Sequence, residues 1–330
     1  MENGEPPHNF TEKFAFEVDQ SCRHYSLKDI HRKIDRYLPA LKKYCETKET
    51  GDVEFKKLNL TFTDYFKIAV IFYSDFDDNL YKKIEKYIKN GNIISYEPND
   101  KNGENMVALS YDNLVRIHLA PKDDLTGYLA IVQTLACALS QKYQSFKRPK
   151  LDYFYRIENV FVQKVFVNYL KDCGLISNKD YESLCIGLNN KFQKNINTLM
   201  EEQEVFKEIK MPVTAKDLNN YSESHKNDAD FDKKIKRIEM LRGASKDWRT
   251  NNGKHAFKYV LGTVVADVLY DEYKENKKKT MKKFRNYLKN SSNFDTIEEG
   301  LEALLGKDYN KKLNDKVFSG DRRWEQKRNF

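Results

Sequence analysis

The residues that could do chemistry are few and scattered. The six histidines (His8, His24, His31, His118, His225 and His255) show no metal-ligand spacing. His24 and His31 lie seven apart on one helical face, but no third ligand accompanies them, so a surface role is the plainer reading. The five cysteines, Cys22, Cys45, Cys137, Cys173 and Cys185, form an odd set without a Cys-x-x-Cys pair, as for free thiols in a reducing compartment. There is no Gly-x-Ser-x-Gly elbow to present a serine nucleophile. No glycine-rich phosphate loop, zinc-finger spacing or RNA-recognition fingerprint occurs. Asp123-Asp124 precedes a helical pattern, where carboxylates cap and complement the helix N-terminus.

The elements that must position these residues are mostly helical. The chain has 330 residues, 40% apolar and 13% aromatic, with only 13 Gly and 7 Pro. This composition supports a sizeable core and argues against disorder and against a turn-rich all-β fold. Helical periodicity predicts helices over about 25–45, 62–89, 124–143, 153–171, 178–208, 214–222, 228–241, 254–275, 277–289 and 296–305. Gly174 ends one of them, and Pro212 separates two. Thr214–Asp217 and Thr296–Glu299 resemble capping boxes. The polar stretch 219–232 reads as a mobile loop.

Residues 91–120 change character. Ile93-Ile94, Met106–Leu109 and Leu114–Leu119 are separated by turn signals, which predicts a small sheet. Val115, Ile117 and Leu119 alternate with Arg116 and His118, as in a half-exposed strand. This strand is expected at the sheet edge. A division into an N-terminal helical region, 1–90, and a second domain, 91–330, follows from this change of character, although one continuous domain is equally consistent with it.

The net charge of +8 is spread over a Lys-rich surface. Two basic clusters stand out, Lys277–Lys279 with Lys282-Lys283, and Arg322-Arg323 with Lys327-Arg328. The first lies on a helical pattern, whose outer face it forms. The N-terminus lacks the apolar segment of a secretory signal, and no apolar run is long enough to cross a bilayer. The expectation is a cytoplasmic protein, or one exported without a classical signal.

The order of strand, turn and long helix, followed by further helices, is similar to a gluzincin peptidase. The resemblance becomes specific to the oligoendopeptidase F and thimet oligopeptidase family. Val115–Ala120 resembles that family's substrate-aligning strand. Leu125–Ser140, LTGYLAIVQTLACALS, is similar to the helix carrying the threonine-leucine-alanine-His-Glu-leucine-glycine-His pattern. Asn168-Tyr169-Leu170 resembles the end of the third-ligand helix. Glu201–Lys210 with Val213–Asn219, and Tyr259–Gly262 with Ala266, resemble two further family segments. The resemblance runs from about 93 to 309, roughly two-thirds of the chain.

It implies a mainly α fold with a small β-sheet, a zincin-like metallopeptidase catalytic-domain fold with a truncated N-terminal helical lobe. It also implies loss of the metal. The two histidines and the general base of the motif fall on Gln133, Thr134 and Cys137, and the third ligand falls on Arg156, a cation. Glu158 is turned about 200° from Arg156 on a helix and is a poor substitute. His255 and Phe257, just before Tyr259, stand where the family has oxyanion-stabilising residues. His255 and Tyr259 are therefore the candidates for residual function.

Arg156 either pairs with a carboxylate such as Asp152 or Glu158, or binds an anionic group such as a peptide carboxylate. The leading expectation is a catalytically inactive protein without metal or cofactor. It would bind a peptide or protein through the former cleft, by strand addition along Val115, Arg116, Ile117, His118 and Leu119. The alternatives are a hydrolase with a non-family site involving Cys137, His255 or Arg156, and a basic scaffold for nucleic acid or an anionic membrane. Nucleic acid is the less favoured partner, and oligomeric state is left open.

Overall fold

The structure, a computed structural model, describes residues 27–95, 107–111, 114–119, 122–141, 157–208, 215–228, 255–290, 293–294 and 296–318. Its elements, in chain order, are α1 (Leu27–Glu46), α2 (Phe62–Phe76), α3 (Asp78–Lys89), β1 (Ile93–Ser95), β2 (Val107–Tyr111), β3 (Leu114–Leu119) and α4 (Leu125–Gln141). There follow α5 (Ile157–Asp172), α6 (Asn178–Glu208), α7 (Ala215–Ser224), α8 (His255–Glu275), α9 (Lys277–Asn290), α10 (Ile297–Leu305) and α11 (Tyr309–Phe318). The molecule is mainly helical with one small sheet, as expected. The expected helix over 228–241, beyond its first residue, Pro212, Thr214 and the basic cluster at 322–328 lie outside the described residues.

Helices α4 and α5 form the centre. Both are apolar on nearly all faces, which places a helix inside rather than on the surface. In α5, Ile157, Phe161, Val162, Val165, Phe166, Val167 and Leu170 are buried, and in α4 so are Leu125, Leu129, Ile131, Val132, Leu135, Ala136 and Leu139. The core is continuous from Leu41 and Tyr44 of α1 to Leu304 of α10. An aromatic cluster fastens α2, α5 and α9. The ring centroid of Phe76 lies 5.1 Å from that of Phe72, 6.0 Å from Phe161 and 6.4 Å from Phe284.

The single helix expected over 62–89 is two helices. Asp77 is extended (φ −164°, ψ 115°), ends α2 and caps α3 by accepting from the Asn79 and Leu80 amides, both at 3.1 Å. A short polar side chain that satisfies orphan amides competes with helix continuation. The mobile loop expected from 219 is likewise helical as far as Ser224. Helix α11, not expected from periodicity, has no fully buried residue; its half-buried Tyr309, Leu313 and Val317 pack against the core, and ion pairs of Lys312 with Glu272 (2.8 Å) and of Lys316 with Asp271 add to the contact. Gly174, with φ +66°, ends α5, and Thr296 caps α10 by accepting from the Glu299 amide at 3.2 Å.

The sheet order is β1-β3-β2. Strand β1 pairs with β3 in parallel, with Ile93 opposite Ile117, and β2 pairs with it antiparallel, from Val107 opposite His118 to Tyr111 opposite Leu114. Strand β3 is therefore central, which corrects the expectation that Val115–Leu119 is an edge. The alternation matches the burial: Val115, Ile117 and Leu119 are buried on one face. Alternation reports only which face is covered. The edges were taken by the short runs at 93–95 and 107–111.

Candidate functional site

Gln133 and Cys137 lie four residues apart on α4 and so share one face. That face meets α5. Gln163 Nε2 donates to Gln133 Oε1 at 2.8 Å, and Cys137 Sγ donates to Asn159 Oδ1 at 3.0 Å. Because position 133 meets 163 while 137 meets 159, the two helices run antiparallel along this seam. Thr134 turns its hydroxyl back to the Ala130 carbonyl at 2.9 Å. The group is secluded: Thr134, Cys137, Asn159 and Gln163 are all buried.

The amide pair Asn159 and Gln163 was missed in the sequence. Its signal was two amides four apart on an otherwise apolar helix, the same spacing as Gln133 and Cys137. Arg156, expected beside Gln133, lies outside the described residues, as does Asp152. Glu158 is fully buried, and its charge acts on α9: burial first, and then Glu158, raise the Tyr287 hydroxyl well above its ordinary pKa.

These residues do not fit a zinc ion. Three primary amides, a threonine bonded to its own helix and one thiol give neither the charge nor the donor set of a Zn²⁺ site. Among the described residues, no three His, Cys, Asp or Glu side chains are grouped to hold a metal.

Gln163 also lines a pocket of about 170 Å³ between α5, α6 and α8. Its apolar wall includes Val160, Val167, Leu188 and Phe192, and Tyr181, Tyr259 and Tyr270 add phenol rings. Lys48, Lys164, Lys191 and Asp267 bring charge to it. Asp267, on α8, is almost wholly buried and accepts from Lys48 Nζ at 2.9 Å, from Lys164 Nζ and from the Tyr44 hydroxyl. Burial pushes the Asp267 pKa up, but the Lys164 and Lys48 charges outweigh it and hold the carboxyl below its ordinary value. Burial, and then the Asp267 charge, push the Tyr44 hydroxyl far up, so it stays protonated as a donor.

Lys48 is placed by the segment after α1, which is laced to α6: Asn189 Nδ2 donates to the Glu49 carbonyl at 2.8 Å and Asn190 Nδ2 to the Gly51 carbonyl at 2.7 Å. Of the expected residual residues, Tyr259 is at the pocket, with Lys191 Nζ 5.0 Å from its ring centroid. His255 and Phe257 fall in the first turn of α8, with side chains outside the described set, as are those of Arg116 and His118. No residue of β3 lines the pocket.

Asp123 and Asp124 divide their work. Asp124 Oδ1 accepts from the Thr126 amide at 2.7 Å, the expected cap. Asp123 instead accepts from the Asn59 and Leu60 amides at 3.2 and 3.1 Å and from the Tyr65 hydroxyl at 3.0 Å, tying the segment before α2 to the start of α4.

No family model matches the chain, and no curated protein matches it in sequence. Two crystal structures share its fold. One is described as a "putative peptidase" from Chlamydophila abortus (TM-score 0.51, 14% identity, 94% of this chain and 55% of that one). The other is a "putative oligoendopeptidase F" from Bacillus anthracis strain Ames (TM-score 0.51, 9% identity, 97% of this chain and 57% of that one). The class defined is thus a peptidase-like helical fold. The chain spans a little over half the length of either protein. No helix among the described residues is long and apolar enough to cross a membrane.

Proposed function

We propose that this chain is a peptidase-like protein without peptidase chemistry, which binds a peptide or protein partner. On this reading it is a degenerate relative of the oligoendopeptidase F type, with Gln133, Thr134 and Cys137 at the motif positions. The observation that carries it is the α4–α5 seam. Gln133, Thr134 and Cys137 are bonded to neutral partners or to their own helix, and among the described residues no three His, Cys, Asp or Glu side chains are grouped to hold a metal.

A partner peptide cannot pair with β3, both of whose edges are taken. Backbone pairing needs a free edge, and β2 is the longer of the two outer strands. Among the described residues, the strand open to addition is therefore β2 at its outer edge, not Val115–Leu119 itself.

The test begins with metal content of tag-free protein by elemental analysis and with a quenched peptide library. No stoichiometric zinc and no cleavage are expected. Chelator-sensitive cleavage with one zinc per chain would overturn the reading. Peptides selected for binding should then lose affinity when alternate backbone nitrogens are methylated. Indifference to methylation would rule out strand addition.

A further inference from the structure

We infer that the pocket between α5, α6 and α8 is a binding site for a small organic monocarboxylate with an apolar body, Lys48 and Lys164 being the pair that holds the carboxylate. The first observation is charge. Two ammonium groups share the single buried carboxylate of Asp267, one on each oxygen, and Lys191 adds a third cation to the lining, so positive charge exceeds negative at the pocket. An anionic ligand offsets part of that excess.

The second observation is donor capacity. An ammonium carries three N–H donors. Lys48 directs two of them, to Asp267 and to the Tyr44 hydroxyl (2.9 Å each), and Lys164 directs one, to Asp267. Asp267 therefore fixes both lysines in place with donors to spare, so an incoming anion meets a preorganised pair and needs little reordering.

The third observation is the wall. Val160, Val167, Leu188 and Phe192 give an apolar floor beside the charge, the usual make-up of a small-molecule site in which a few polar groups fix orientation. The side chains of Lys48 and Lys164 are 21% and 30% exposed, so the pair is reachable but partly desolvated. Charge-assisted hydrogen bonds are strongest under such conditions. This inference is independent of strand addition, since no described residue of β2 lines the pocket.

The probe is 3-phenylpropionate, compared with its neutral amide and with inorganic phosphate, by calorimetric titration of the intact chain. Saturable binding of the acid, with the amide weaker by about tenfold or more, is expected from loss of one charge-assisted bond. Lys48→Met and Lys164→Met should each abolish the preference, and Lys164→Arg should retain it.

Cys185 lines the same pocket and gives a readout that needs no variant. The acid should slow alkylation of Cys185, mapped by peptide mass, and the amide should not. Equal binding of acid and amide, binding that survives both methionine substitutions, or unprotected Cys185 would each overturn the assignment. Phosphate binding as tightly as the acid would also overturn it, in favour of a generic anion site.

Discussion

Gln163 on α5 and Gln133 on α4 are joined amide to amide at 2.8 Å, and the adjoining turn of each helix repeats the contact with Asn159 and Cys137. On the proposed relationship, the two histidine positions of the gluzincin motif fall on Gln133 and Cys137, in a neutral seam that joins the two central helices. The seam leads to a direct test of the relationship.

The combined variant Gln133→His, Thr134→Glu, Cys137→His and Asn159→Glu places two imidazoles and one carboxylate on the seam, with a second carboxylate beside them at 134. It should take up about one zinc per chain by elemental analysis, with the wild type taking none. No gain of zinc in a folded variant would mean that α4 and α5 do not face each other as the metal-bearing helices of that family do.

Asp267→Asn should destabilise the fold by about 2–3 kcal/mol in urea denaturation, because two lysines lose the carboxylate that holds them. Part of the loss is relieved, since both lysines can turn towards water. The same carboxyl sets an acid dependence. Its folded pKa lies below the unfolded value, so its contribution is complete above about pH 4 and is lost as pH falls through the lower folded value. The stability difference between wild type and Asp267→Asn should therefore shrink as pH is lowered from about 5 towards 2.

Tyrosines govern the alkaline side. Burial raises Tyr181 and Tyr273 to about 12, and Tyr44 and Tyr65 still further. A raised folded pKa stabilises below the unfolded value, near 10, and that stability is lost as pH rises towards the folded one. Stability should fall steadily above about pH 10, and the phenolate absorbance of these residues should appear together with loss of helical circular dichroism. Phenolate formation in a fully helical protein would contradict the burial of these hydroxyls.

Asp77 combines a cap with an ion pair to Arg285. Asp77→Ala should cost about 2–3 kcal/mol, and Asp77→Asn, which still accepts from the Asn79 and Leu80 amides, about 1 kcal/mol less than that. If the two variants are equal in thermal and urea denaturation, capping contributes nothing at this break.

Packing of the aromatic cluster gives a last check. Phe76 touches rings from α2, α5 and α9, so Phe76→Ala should cost about 3–5 kcal/mol. Phe76→Leu should recover more than half of that in urea denaturation, because most of the buried volume is restored.

Much of this was legible in the sequence because it is local. Apolar periodicity located the central helices α4 and α5, the long α6 and the paired α8 and α9. Gly174 and Thr296 marked real helix ends, since caps satisfy backbone groups within a turn of themselves. The alternation at Val115–Leu119 gave the buried face of β3. Periodicity could not see the break at Asp77, where one side chain outweighs an uninterrupted apolar pattern, nor α11, whose half-buried stripe of Tyr309, Leu313 and Val317 is short and is helped by ion pairs.

The sequence by itself determined that the chain is mainly helical, that a short sheet precedes α4, and that Gln133, Thr134 and Cys137 stand one turn apart on a buried helix. Only the tertiary structure decided what those residues meet. Strand order depends on pairings between distant segments, and it put β3 in the middle. The partners of Gln133 and Cys137 came from α5, and those of Asp267 from α1, the segment after it and α5, with Tyr44 lying 223 residues away. Such contacts carry no spacing in the chain, because they are set by how helices pack and not by which residues neighbour one another.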